Sequence, residues 1–112
     1  MIIYKKGNIL ESKAEALVNT VNTQGVMGKG IALQFKNAFP SNYKIYQDIC
    51  KNGSFQIGDL LIVEENGLIS GKKTIINFPT KTSWRKPSEY SYIEKGLEKL
   101  VQVIEEKKFN SI

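Results

Sequence analysis

The residues best equipped for chemistry in this chain lie in one run, Asn19-Thr20-Val21-Asn22-Thr23-Gln24-Gly25-Val26-Met27-Gly28-Lys29-Gly30-Ile31-Ala32, which joins a predicted strand to a predicted helix. Glycines at positions 25, 28 and 30 let the backbone turn tightly and approach a ligand closely. The free amides at the start of the following helix favour an anion there, so the segment suggests phosphate binding. The plainer alternative is that the glycines serve only the turn. Two familiar phosphate motifs are excluded. A P-loop needs its lysine after the second glycine, whereas Lys29 precedes Gly30; a dinucleotide fingerprint begun at Gly28 would need Gly or Ala where Leu33 stands.

Several elements must hold this run in place. Short apolar runs rich in β-branched residues and bounded by turn residues occur at Ile2 to Tyr4, Ala16 to Val21, Leu60 to Glu64 and Thr74 to Phe78, and each reads as a strand. Their continuous apolar character predicts a sheet covered on both faces. A first helix is predicted from about Gly28 to Ala38, with Ile31, Phe35 and Ala38 on one face and Pro40 ending it. The second begins after Ser41 as N-cap, carries Tyr43, Tyr46, Ile49 and Cys50 on one side, and stops at Gly53. The third runs from Ser88 to about Lys107, with Ile93, Leu97, Leu100, Val101 and Ile104 as the stripe expected to pack on the sheet. Strands alternating with helices imply a layered α/β fold.

Composition narrows the chemistry further. A chain of 112 residues with 41% hydrophobic and 24% charged residues has the size and make-up of one folded domain. Its formal charge of +5 suits an anionic ligand such as a nucleotide or nucleic acid, the alternative being a solvated basic surface. Cys50 is the only cysteine and there is no histidine, so disulfide scaffolds, cysteine-histidine zinc sites and His-based triads lack their parts. Catalysis would fall to Lys, Asp, Glu, Tyr, Ser, Thr or Asn. No metal and no cofactor is expected, with carboxylate-bound magnesium left open. Met1 to Tyr4 are apolar but Lys5 and Lys6 follow at once, far short of a signal peptide or membrane span, so the expectation is a cytoplasmic protein without a membrane partner.

The glycine-rich run resembles the macrodomain signature, a strand ending in Asn-x-x-Asn that enters a Gly-x-Met-Gly-x-Gly-Ile-Ala loop. In macrodomains this loop wraps the diphosphate and distal ribose of ADP-ribose. The resemblance therefore assigns Gly25, Val26, Met27, Gly28, Gly30 and Ile31 to ligand contact, and sets Asn22 against the distal ribose, where an amide both donates and accepts hydrogen bonds to hydroxyls or water. Gly7-Asn8-Ile9-Leu10 stands where macrodomains usually carry Gly-Asp-Ile, whose acid accepts from the adenine amino group. Asn8 can still accept, through a neutral bond about half as strong as a charge-assisted one, and Ile9 belongs to the same ligand-binding segment.

A second run, Asn77-Phe78-Pro79-Thr80-Lys81-Thr82-Ser83-Trp84-Arg85, resembles the Asn-Phe-Pro-Thr-Lys-x-x-Trp-Arg element of the macrodomain branch that includes the DNA ADP-ribosyl glycohydrolase antitoxins and is related to terminal ADP-ribose protein glycohydrolase. In that branch the lysine is catalytic, which points to Lys81, with Thr80 beside it at the ligand. A lysine near the anomeric carbon could attack an opened ribose as an amine or stabilise a leaving group as a cation. Without the motif, Lys81 would read as a solvated surface residue. Trp84 and Arg85 could stack on a base and pair with a phosphate of a nucleic acid, although Trp84 could equally anchor its loop on the core.

The resemblance implies a single macrodomain over residues 1–112, a three-layer α/β/α fold with a mixed central sheet, incomplete at the C-terminus for want of a further strand, a second glycine-rich loop and a closing helix. It implies hydrolysis of ADP-ribose from modified DNA by an antitoxin-type glycohydrolase, with Lys81 catalytic and Asn22 orienting the ribose or water. The implied partners are ADP-ribose or ADP-ribosylated DNA and a cognate ADP-ribosyltransferase toxin. A non-catalytic ADP-ribose-binding module and an ADP-ribose phosphate phosphatase are the alternatives, and the lysine motif argues against the second.

Overall fold

The computed structural model describes residues 10, 14–28, 30–67, 71–83, 88–107 and 112. The predicted strand Ile2 to Tyr4, and Asn8, Ile9, Trp84 and Arg85, lie outside the described residues. Within them the chain forms β1 (Ala16–Asn22), α1 (Gly30–Ala38), α2 (Pro40–Lys51), β2 (Leu61–Gly67), β3 (Gly71–Lys81) and α3 (Tyr90–Lys107). The sheet order is β1-β3-β2, with β1 parallel and β2 antiparallel to the central β3, a mixed sheet as expected.

β3 is central because Lys73 through Pro79 are all buried, with Ile75 to one side and Phe78 to the other. Ile75 joins Leu10, Leu17, Phe35, Ala38 and Phe39 in the core under α1 and the start of α2. A second cluster of Val21, Met27, Tyr46 and Phe55 fills the space between the end of β1 and α2, with Tyr43, Ile49, Cys50 and Leu61 packed around it. Phe78 faces the opposite layer, where its ring sits over Gly96 of α3. Helices thus cover both faces of the sheet, the arrangement that a continuous apolar β3 requires.

Two expectations change at the helices. Ser41 is not the N-cap of α2: Phe39 holds that place without a side-chain bond and Pro40 opens the helix, where its missing N–H costs nothing. The cap is instead supplied by Glu65 of β2, whose carboxylate accepts the amides of Ser41 at 3.2 Å and Asn42 at 2.6 Å. A charge that arrives from another strand cannot be read from local sequence. In α3 the buried residues are Gly96 and Val103; of the predicted stripe, Leu100 and Ile104 are half-buried, while Ile93, Leu97 and Val101 are 37%, 48% and 55% exposed. The helix is turned so that its one glycine meets Phe78, and that close approach decides which face is buried.

Candidate functional site

The site is built where β1 and β3 end side by side. Pro79 has no N–H to offer the ladder, and Pro within a central strand is tolerated chiefly at irregularities. The register shifts there: Val21 pairs with Pro79, but Asn22 pairs with Lys81, leaving Thr80 without a partner in the ladder. This bulge sets Asn22 and Lys81, the two residues singled out for catalysis, opposite each other. Thr23 then holds the lysine's backbone from above, its N–H donating to the Lys81 carbonyl at 3.1 Å and its hydroxyl to the Thr82 carbonyl at 3.1 Å.

A cleft of about 430 Å³ opens at this point, lined by Thr20, Val21 and Asn22 of β1, Val26 and Gly28 of the loop, Ile31 and Ala32 of α1, and Thr80 and Lys81 of β3. Ile31, expected on the buried face of its helix, is 40% exposed at the cleft. Among the described residues no carboxylate forms an ion pair with Lys81 at the cleft.

Not every residue of the glycine-rich run reaches this cleft. Met27 is 2% exposed and its side chain belongs to the core cluster with Tyr46 rather than to the cleft lining. Gly25 is buried against α2 with a φ of 89°, and a Cβ there would stand 3.3 Å from the Cβ of Cys50. Its glycine is needed for the turn and for close approach to the helix. Gly30 is exposed, opens α1 with a φ of 57° and does not line the cleft. Val26, Gly28, Ile31 and Thr80 do line it.

Asn22 is more tightly engaged than its sequence suggests. Its Oδ1 accepts from the hydroxyl of Tyr46 at 2.8 Å, the amide of Gln24 at 3.0 Å and the amide of Val26 at 3.3 Å, and its Nδ2 donates to the Val26 carbonyl at 2.9 Å. Two amides on one side and a carbonyl on the other fix which end of the carboxamide is which. The acceptor is occupied, so Asn22 offers a ligand one remaining Nδ2 hydrogen and no lone pair. The Oδ1 expected to accept from the ribose or water is thus already engaged within the loop.

Tyr46, 24 positions along the chain, was not singled out as functional, although a tyrosine on the buried face of a helix needs a partner for its hydroxyl. Burial pushes that hydroxyl well above its usual pKa, reinforced by the neighbouring Cys50 and opposed by the backbone of Gly25, Asn22 and Val26. The Cys50 thiol is pushed up to about 11 by burial, against a hydrogen bond with Tyr46. Beneath the site lies a buried amide network in which Asn77 and Asn42 exchange hydrogen bonds at 2.8 and 3.2 Å, Asn77 donates to the Leu61 carbonyl at 3.1 Å, and Asn19 donates to Asn77 at 3.4 Å. It ties β1, β3 and α2 together directly below the loop. Among the described residues no group of three acids or cysteines could hold a metal, and no helix is long and apolar enough to cross a membrane.

Fold and site together define an α/β domain whose strand-to-helix loop and facing strand end enclose a cleft carrying a lysine. Residues 18–112 match the model of the Macro domain family, and the chain belongs to that family. It is 51% identical over its whole length to the DNA ADP-ribosyl glycohydrolase of Thermus aquaticus, of which it spans 31%. The solved macrodomain of Mycobacterium tuberculosis DarG is 50% identical, with a TM-score of 0.91 over 97% of this chain and 71% of that one. The structure of Thermosipho africanus DarTG in complex with ADP-ribose is 32% identical, with a TM-score of 0.83 over 94% of this chain and 30% of that one. The chain thus spans about a third of the length of the curated glycohydrolases it matches.

Proposed function

We propose that this chain is the ADP-ribose-binding and hydrolysing unit of a DNA ADP-ribosyl glycohydrolase. The observation that carries the proposal is the bulge at Pro79 and Thr80, which sets Lys81 opposite Asn22 at the cleft beneath the glycine-rich loop. The diphosphate of ADP-ribose lies along Val26 and Gly28, and the distal ribose reaches Asn22 and Lys81. The remaining Nδ2 hydrogen of Asn22 donates to a ribose hydroxyl. In the reaction the bond from the anomeric carbon to the acceptor base breaks, water supplies the oxygen that replaces it, and the departing base takes up a proton.

Lys81 acts on the anomeric carbon either as an amine that attacks the opened ribose or as a cation that stabilises the leaving group. Reduction with borohydride during turnover separates the two, because only the amine route leaves a stable ADP-ribose adduct on Lys81. The similarity to a DNA ADP-ribosyl transferase-DNA ADP-ribosyl glycohydrolase fusion protein of Thermosipho africanus supports an ADP-ribosyltransferase, the toxin that the sequence resemblance implies, as the partner of the whole protein.

The test is incubation with ADP-ribosylated single-stranded DNA, following free ADP-ribose and the restored base while titrating free ADP-ribose in parallel. Release should fall at least a hundredfold in Lys81→Ala, with ADP-ribose affinity within a few-fold of the parent, as expected when an interaction of the transition state is removed. Binding of ADP-ribose without any release by the parent would make the chain a binding module. Equal release by Lys81→Ala would remove the lysine from the mechanism.

A further inference from the structure

The hydroxyl of Tyr46 is fully buried at the turn that leads from β1 into the cleft loop. It stands 2.7 Å from the carbonyl oxygen of Asn22 and 2.8 Å from its Oδ1, so its single proton is shared between two acceptors on one residue. The turn from Asn22 to Val26 closes over this oxygen: Gln24 and Val26 donate to the same Oδ1, and Asn22 Nδ2 returns to the Val26 carbonyl. The phenol itself cannot drift, because its ring meets Phe55 edge-on at 6.1 Å and its helix is capped on β2 through Glu65. A buried hydroxyl held this way costs free energy unless both ends of its bonds are in place.

We propose that Tyr46 is a positioning residue that locks the Asn22 carboxamide with its oxygen turned into the loop, so that Asn22 meets ADP-ribose only as a donor and the Asn22–Val26 turn is shaped before ligand arrives. The proposal deepens the ADP-ribose reading and rests on it for the ligand, while the locking is a property of the free protein. Preorganisation of this kind improves affinity by removing the cost of ordering the loop on binding.

The test has an arm that needs no ligand. In Tyr46→Phe, amide hydrogen exchange at Gln24 and Val26 should accelerate about tenfold, the loss of one buried hydrogen bond, while Ile75 and Ile76 change less than about twofold. In the parent, the phenolic proton should exchange slowly and show through-space cross-peaks to the amide protons of Gly25 and Val26, a measurement that stands even if the variant fails to fold. The second arm is titration with free ADP-ribose. Tyr46→Phe should weaken binding about tenfold in the parent background but less than about twofold in an Asn22→Ala background, the non-additivity of residues that act through one another. Unchanged exchange at Gln24 and Val26, equal acceleration at Ile75 and Ile76, absent cross-peaks in the parent, or additive losses would each overturn the positioning role. A parent that binds no ADP-ribose would overturn the ligand reading, with the exchange arm still deciding the role of Tyr46.

Discussion

Replacing Gly96 by alanine should destabilise the protein, although the same change at an open helix position stabilises. The new Cβ would stand 2.3, 2.4 and 3.0 Å from Cζ, Cε1 and Cε2 of the Phe78 ring. Phe78 is 5% exposed and sits on the central strand, so the ring has little room to withdraw. Alanine is worth about 1 kcal/mol over glycine in a helix interior. Overpacking a filled site costs about 1 to 3 kcal/mol, and contacts as short as these belong at the upper end. The net expectation is a loss of about 2 kcal/mol, which moves the melting temperature down by roughly 8 °C for a domain of this size. Urea unfolding followed by circular dichroism reads it as a lower midpoint with unchanged slope. Phe78→Leu should restore part of the loss, giving a favourable coupling of about 1 kcal/mol in a double-mutant cycle. A midpoint that rises in Gly96→Ala would refute the reasoning, because it would mean that α3 does not depend on close approach to β3.

Other substitutions test the supports of the site. Glu65→Ala removes the carboxylate cap from α2 and should cost about 1 to 2 kcal/mol in urea unfolding, against no loss for a helix indifferent to its N-terminus. Asn77→Leu leaves Asn42 and the Leu61 carbonyl without their partner and should cost about 3 kcal/mol by the same assay; a neutral result would show the amide network to be replaceable by apolar packing. The Cys50 thiol is raised from 9.0 to about 11 in the folded protein. The unfolded chain therefore ionises first as pH rises, so stability is full below 9.0 and declines as pH climbs through about 11. Melting temperatures measured between these limits should fall less in Cys50→Ala than in the parent.

The chain by itself determined the local elements and the chemistry they could carry. Apolar runs marked β1, β2 and β3; amphipathic spacing marked the three helices; two motifs marked the glycine-rich loop and Lys81. These features are legible because backbone propensity and motif chemistry act between near neighbours in sequence. The tertiary structure decided what depends on residues far apart. Glu65 displaced Ser41 as the source of the α2 cap, because a carboxylate on β2 lies within reach of the helix amides. Gly96 set which part of α3 meets the sheet, leaving Ile93, Leu97 and Val101 of the apolar stripe exposed and Leu100 and Ile104 half-buried, because only a residue without a side chain fits against Phe78. The bulge after Pro79 brought Asn22 level with Lys81, and Tyr46 occupied the acceptor that sequence alone left to the ligand. Each of these depends on which atoms meet once the sheet is assembled, and the spacing of residues along one strand or helix holds no record of it.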